Sequence, residues 1–179
     1  MATVNHDESF YRELLESVVE GSPDLIYFKN TDHELVYFGT AYADIFGVEN
    51  TELEGKTAWD LWPEDEARSI VSDETQALAG DPVIGRERKV THPDGSTHWY
   101  SIHKLPRYDD DGTLVGFAAI DREITDRKQY ERELERFQSF VEHSGDVIAL
   151  FNEDGVIEYV SPAVGHTFGY DQFQLTGRK

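Results

Sequence analysis

Apolar residues recur along this chain with two periods, and the alternation between them lays out most of the elements. Residues 8–20 (ESFYRELLESVVE) carry apolar side chains at 11, 14, 15, 18 and 19, one face of a helix. DLIYF (24–28) and LVYF (35–38) read as strands on either side of NTDHE, whose asparagine and aspartate suit a turn. Thr40 is placed to cap a short helix that runs to Phe46, and Gly47 stops it. Residues 63–78 (PEDEARSIVSDETQAL) predict a longer helix with acids in its first turn, where the helix dipole favours them. Strands are then predicted at 83–91, 96–105 and 113–121, joined by tips rich in proline, aspartate and glycine. A helical period returns over 125–142. Strands grouped apart from helices predict an α+β fold with an antiparallel sheet.

The chain also repeats itself. Residues 18–57 align without a gap on residues 140–179 at a shift of 122, with 13 of 40 positions identical. The identities include Ser22/Ser144, Asp24/Asp146, Asp32/Asp154, Tyr37/Tyr159, Phe46/Phe168, Gly47/Gly169 and Gly55/Gly177. Chance gives about three at ordinary residue frequencies. The second copy ends at the equivalent of Thr57, without counterparts of 58–121. A hairpin lacking three partner strands is marginal, so 144–179 is expected to be loosely packed or to lean on another chain.

Charge narrows the partners. With 36 acidic against 16 basic residues and a net charge of −20, the chain offers no positive footprint for nucleic acid or an anionic membrane surface. Only six basic residues are lysine. An acid excess with sparse lysine resembles proteins of salt-loving organisms, where salt screens the carboxylates; an ordinary acidic protein is the other reading. Without cysteine there is no disulfide, thiolate nucleophile or iron–sulfur cluster. The first residues, MATVNHDESFYRELLE, lack the basic-then-apolar order of a signal peptide, and no run is long enough to span a membrane. This portion is expected to be soluble and cytoplasmic.

Against that acidity stands DREITDRKQYERELERF (121–137), where residues 122–136 hold five basic and five acidic side chains. Thr125 is a candidate N-cap with Asp126 in the first turn. Tyr130, Leu134, Phe137 and Val141 are spaced 4, 3, 4, a coiled-coil-like seam, with Glu123–Arg127 and Arg127–Glu131 as i,i+4 pairs. A neutral helix suits one that lies beside its twin in a dimer; a solvated linker kept helical by alternating charges is the alternative. Leu15, Val18 and Val19 align with Phe137, Phe140 and Val141, so each copy is entered by an equivalent helix.

Several of these pieces together resemble the PAS family of sensory modules. They are the first-hairpin turn (KNTDHELVYF, and FNEDGVIEYV in the second copy), the FG that closes the short helix, Leu53-Glu54-Gly55-Lys56, HPDGSTHWYS and PRYDDDGTLVGFAAIDREITDRK. The family's closing Asp-Ile-Thr reads Glu123-Ile124-Thr125 here. Many relatives carry asparagine after the second strand, where this chain has Gly39 and Ser161. The resemblance covers about 10–137 as one module and 138–179 as the front of another. It implies a five-stranded antiparallel sheet with short helices on one face and any ligand between them. It also implies a signal leaving through the helix after the last strand, by way of Asp121, Glu123 and Thr125. The organisation expected is an N-terminal helix (1–20), a sensory domain (21–124), a signalling helix (125–143) and a truncated second domain (144–179).

The chemistry expected inside that frame is binding. Candidate pocket walls are Tyr27, Tyr37, Tyr42, Phe46, Trp59, Trp62, Ile70, Tyr100, Ile102 and Phe117, although aromatics of this number mostly build core. A small aromatic or flavin-like ligand fits such walls, but a covalent flavin adduct needs a cysteine. The 63–78 helix, where haem-binding relatives commonly place a ligand, has no histidine, so haem is not expected. His98 and His103 face opposite sides of one strand, and His33 and His92 fall in turns, so no metal site is expected. GTAYADIFG lacks a P-loop lysine, there is no G-x-S-x-G, and Asp109-Asp110-Asp111 lacks the spacing of a calcium loop. The expectation is a non-catalytic sensory and relay module of a histidine kinase or transducer, acting as a homodimer on a downstream signalling domain. A ligand-free dimerisation scaffold is the alternative, and an enzyme using the pocket a remote one.

Overall fold

The computed structural model describes residues 8–48 and 50–178, which fall into a first unit ending at Thr125 and a second beginning at Asp126. In the first unit, α1 (Glu8–Glu20) leads into β1 (Leu25–Lys29) and β2 (Leu35–Phe38). Then follow α2 (Thr40–Asp44), a 3-10 turn (Asn50–Glu52), α3 (Ala58–Leu61) and α4 (Glu64–Leu78). The unit closes with β3 (Val83–Thr91), β4 (Thr97–Tyr108) and β5 (Leu114–Glu123). The five strands form one antiparallel sheet in the order β2-β1-β5-β4-β3. The α+β expectation holds, and the last strand lies at the centre of the sheet.

Alternation puts Leu25, Tyr27 and Lys29 of β1 on the inner face, where Tyr42, Ala43, Leu53, Trp62 and Ala67 from the helices and the turns beside them complete a single core with Tyr100, Ile102 and Phe117. β4 runs on beyond its expected end at 105. Pro106 lies past Lys104, where pairing with β3 stops, so its missing N–H costs no ladder bond on that side. Thr40 is the first residue of α2 and Gly39 its N-cap; the Thr40 hydroxyl bonds Glu20 of α1 instead of capping.

Gly39 itself has a steric cause. A Cβ there would lie 2.5 Å from the Val19 carbonyl oxygen, so the close approach of α1 excludes any side chain. Gly116, at φ 145°, is tighter still: a Cβ would meet the Lys29 carbonyl oxygen at 2.0 Å. It is the glycine that lets β5 close against the end of β1.

The second unit contains most of α5 (Thr125–His143), then β6 (Ala149–Phe151), β7 (Ile157–Val160), α6 (Ala163–Phe168) and α7 (Gln172–Leu175). The repeat is reproduced in its backbone hydrogen bonds. Asn30 Oδ1 accepts from the N–H groups of Asp32 and Glu34, and Asn152 Oδ1 from those of Asp154 and Val156. Leu35 N–H reaches Lys56 O at 2.9 Å, and Ile157 N–H reaches Arg178 O at 2.8 Å. His33 takes a positive φ of 65° where Gly155 takes 76°. At the Gly39 position the second copy tolerates Ser161, fully buried, its hydroxyl joined to Ile148 N–H and Asp146 O. β6 and β7 pair only with each other, and Leu150, Phe151, Phe168, Tyr170 and Phe173 are exposed.

Candidate functional site

The site is a cavity of about 30 Å³ between the sheet and the helices. Six of the predicted wall residues meet there: Tyr27 of β1, Tyr42 of α2, Trp62 after α3, Ile70 of α4, and Tyr100 and Ile102 of β4. Phe117 lies fully buried beside Tyr27, ring centres 6.5 Å apart, and Phe46 meets Trp62 edge-on at 5.1 Å, so both support the walls without lining the space. Two expectations fail. Trp59 is half exposed on α3, a helix of four residues that buries only Ala58. Tyr37 lies tilted against Phe28 on the other side of the sheet, because β2 turns Leu35 and Phe38 inward instead. A void of this size admits a water or two. An aromatic ring or flavin enters only if a wall moves.

The interior is more polar than the sequence suggested. Lys104 is almost fully buried; its ammonium donates to the Tyr27 hydroxyl and lies 4.9 Å from the Tyr27 ring centre and 5.3 Å from that of Phe117. The Tyr27 hydroxyl donates to Asp121 Oδ2 at 3.0 Å. Asp121, expected at the helix exit, is therefore a cavity wall, and burial raises its pKa against the pull of Lys104 and Tyr27. Among the described residues, Asp121 Oδ1 and Arg88 Nη1 are buried without a hydrogen-bond partner.

Beside the cavity, α4 presents two adjacent buried carboxylates. Glu74 binds Lys29 at 2.6 Å and His33 at 2.8 Å. Asp73 binds Arg86 and Arg88. Burial lowers the Lys29 pKa; burial pushes Glu74 up, but the His33 hydrogen bond and the lysine charges outweigh it and hold Glu74 below its usual value. Strand periodicity held the missing signal. Lys29 follows Leu25 and Tyr27 at two-residue steps, and Lys104 follows Tyr100 and Ile102 in the same way, so each lysine falls on an inward-facing register.

From the cavity a chain of contacts leads to the exit helix. The Tyr100 hydroxyl lies 2.9 Å from His92 Nε2. The His92 ring stacks on that of His98 at 4.2 Å and 18°. His98 Nδ1 lies 2.7 Å from Glu123 Oε1, which also accepts from the Thr125 hydroxyl at 2.7 Å. The Thr125 oxygen accepts the Trp99 N–H at 2.9 Å, so Thr125, expected as an N-cap, anchors the start of α5 to β4. Burial, then the charge of His98, lowers the His92 pKa. Burial raises that of Glu123, but the hydrogen bonds from His98 and Thr125 outweigh it and hold it low. The hairpin brings together two histidines that the sequence left apart, one in a turn and one in a strand.

On α5, Tyr130, Leu134 and Phe137 are exposed, Arg127 pairs with Glu131 at 3.7 Å, and Val141 is buried, as is its counterpart Val19, so it does not share the exposed stripe. Among the described residues no group of three or more histidine, aspartate or glutamate side chains is placed to hold a metal. No described helix is long and apolar enough to cross a membrane.

An antiparallel five-stranded sheet in this order, with short helices and a cavity on one face, is a sensory-module architecture. The chain belongs to the PAS family: the family described as PAS fold matches residues 19–129, and that described as PAS domain matches residues 135–179. It is 28% identical over 122 residues, 68% of its length, to the aerobic respiration control sensor protein ArcB of Escherichia coli strain K12. It is 26% identical over 137 residues, 73% of its length, to the methanogenesis regulatory histidine kinase FilI of Methanothrix harundinacea. It covers 16% and 15% of those two proteins. The PAS domain of Bordetella pertussis BvgS has the same fold, with a TM-score of 0.53 and 24% identity, over 72% of this chain and 96% of that one.

Proposed function

We propose that residues 21–124 are the non-catalytic sensory domain of a cytoplasmic signal-transduction protein, entered by α1 (Glu8–Glu20); the rest of the expected 1–20 helix, residues 1–7, lies outside the described residues. They read a small molecule or redox state and pass it through the helix at 125–143 of a homodimer to a second module beginning at 144 and a downstream signalling domain. The observation that carries this is the line of contacts from Tyr100 on the cavity wall through His92, His98 and Glu123 to Thr125 at the start of α5. A ligand that moves Tyr100 acts on the first residue of the exit helix, which is how binding biases a two-state element. The names of the relatives, a respiration control sensor and a regulatory histidine kinase, support an input role. The exposed Tyr130, Leu134 and Phe137, in or beside a stretch (122–136) that balances five basic against five acidic side chains, support the dimer. The net charge of −20 supports a halophilic source.

The test is to purify the protein in high salt, record its absorption spectrum, denature it and identify released molecules by mass spectrometry. A stoichiometric small molecule is the expected result. A folded protein that carries and binds none supports the second reading, a ligand-free dimerisation scaffold, which the small size of the cavity favours.

A further inference from the structure

Hydrogen-bonding capacity around the cavity is out of balance. Lys104 has three N–H donors and spends one on Tyr27. Arg88 spends Nη2 on Asp73, and Nη1 has no partner among the described residues. The carboxylates nearby are already committed. Asp73 serves Arg86 and Arg88, Glu74 serves Lys29 and His33, and Asp121 Oδ2 accepts from Tyr27. Among the described residues, Asp121 Oδ1 is the one oxygen of these three carboxylates left without a hydrogen-bond partner. The unmet demand is therefore for acceptor oxygens beside two cations. The remaining wall, with Tyr42, Trp62, Ile70 and Ile102, is largely apolar and aromatic.

We propose that the cavity takes a small monocarboxylate with a short apolar or aromatic body, its carboxylate received by Arg88 Nη1 and Lys104 Nζ and its body held among Tyr42, Trp62 and Ile70. The proposal rests on the sensory reading above and names its ligand class. Guanidinium and carboxylate match in shape as well as charge, so Arg88 supplies the selectivity. A neutral amide of the same shape turns an N–H toward donors and is rejected, whereas an added methylene on the body matters little. A cation meets Lys104. The void holds only water-sized contents, so entry of the body displaces the Trp62 and Ile70 wall. A carboxylate on Arg88 also competes with Asp73 for the same guanidinium, which loosens the hold of α4 on β3.

The test uses the full chain at one fixed salt concentration. Benzoate, benzamide and benzylamine are titrated by calorimetry, and molecules released from the purified protein are identified in parallel. Benzoate is expected to bind saturably and at least tenfold more tightly than the other two. Arg88→Gln removes that preference, while Asp121→Asn, which keeps both cations and removes a facing negative charge, retains or tightens benzoate binding. Equal affinity for benzamide, no binding of benzoate, or an undiminished preference in folded Arg88→Gln overturns the proposal. A neutral or cationic molecule released from the protein overturns the carboxylate class and leaves the sensory reading standing. A folded protein that releases nothing and binds none of the probes overturns both.

Discussion

Lys29 of β1 and Glu74 of α4 meet at 2.6 Å with both side chains sealed from solvent. Such a pair recovers its desolvation only through close geometry, and it is far costlier to halve than to remove. Glu74→Gln is expected to cost about 3–5 kcal/mol, because it strands a buried ammonium. The double variant Lys29→Met/Glu74→Leu is expected within about 1 kcal/mol of the parent. Urea denaturation followed by tryptophan fluorescence measures this in the first unit alone, since Trp59, Trp62 and Trp99 all lie there. A double variant as unstable as the single one would refute the argument.

Acid should weaken the same unit. The pKa of His92 is lowered in the fold, so its contribution is complete above the ordinary histidine value of about 6.5 and is lost as pH falls toward the depressed value. Glu123 is also held low; its contribution is complete above about 4.3 and is lost as pH falls through its folded value. The melting temperature is expected to drop between about pH 7 and 5, with His92→Gln flattening that limb and Glu123→Gln flattening the one below it. A level profile in the parent protein would contradict both assignments.

Gly116→Ala is expected to destabilise by more than about 2 kcal/mol, since the new methyl group runs into the Lys29 carbonyl and β1 must separate from β5. Gly95→Ala, at φ 84° with nothing within 4 Å, is expected to cost about 1 kcal/mol from backbone strain alone. Denaturation midpoints for the two variants separate close approach from turn strain; equal losses would mean that the clash relaxes.

Leu134→Glu is expected to lower the dimerisation affinity of the full chain at least tenfold, as read by sedimentation. It places a like-charged pair in the seam around an exposed position. Val141→Ala is expected to leave association unchanged and to lower the stability of the second unit, because Val141 is buried. Equal association of Leu134→Glu and parent would place the dimer contact elsewhere.

Salt should stabilise the whole chain. Between about 0.1 M and 1 M the Debye length falls from about 10 Å to about 3 Å, and repulsion within a net charge of −20 is screened. A melting temperature that rises across that range, by calorimetry, is the expected outcome. A fall would mean that exposed ion pairs outweigh the repulsion.

Most of the fold was legible because each strand shows its period and each hairpin its turn chemistry; the repeat then confirmed the first hairpin independently. The apolar half of the cavity was legible for the same reason. Its charged half was not, because lysine and glutamate read as solvent-facing unless the register is trusted over the residue type. Asp73 and Glu74 sit in a helix crowded with acids, and nothing local marks two of them as buried. Trp59 and Tyr37 failed in the opposite sense: size and aromaticity suggested walls, while a one-turn helix and an irregularity between Phe28 and Lys29 in the β1–β2 pairing decided their direction.

The repeat also separates frame from contents. At the shift that superposes every turn of the hairpin, Lys29 becomes Phe151, Tyr27 becomes Ala149 and Tyr42 becomes Val164. The ammonium that pairs with Glu74, the phenol that receives Lys104 and the ring that walls the cavity are all replaced in the second copy, while its hydrogen-bonded skeleton is kept. The two copies share a hairpin frame and differ in these three inward side chains. Under the proposed sensory role, a ligand held by Lys29, Tyr27 or Tyr42 in the first copy would meet different side chains in the second, so one chain would carry two selectivities on one frame.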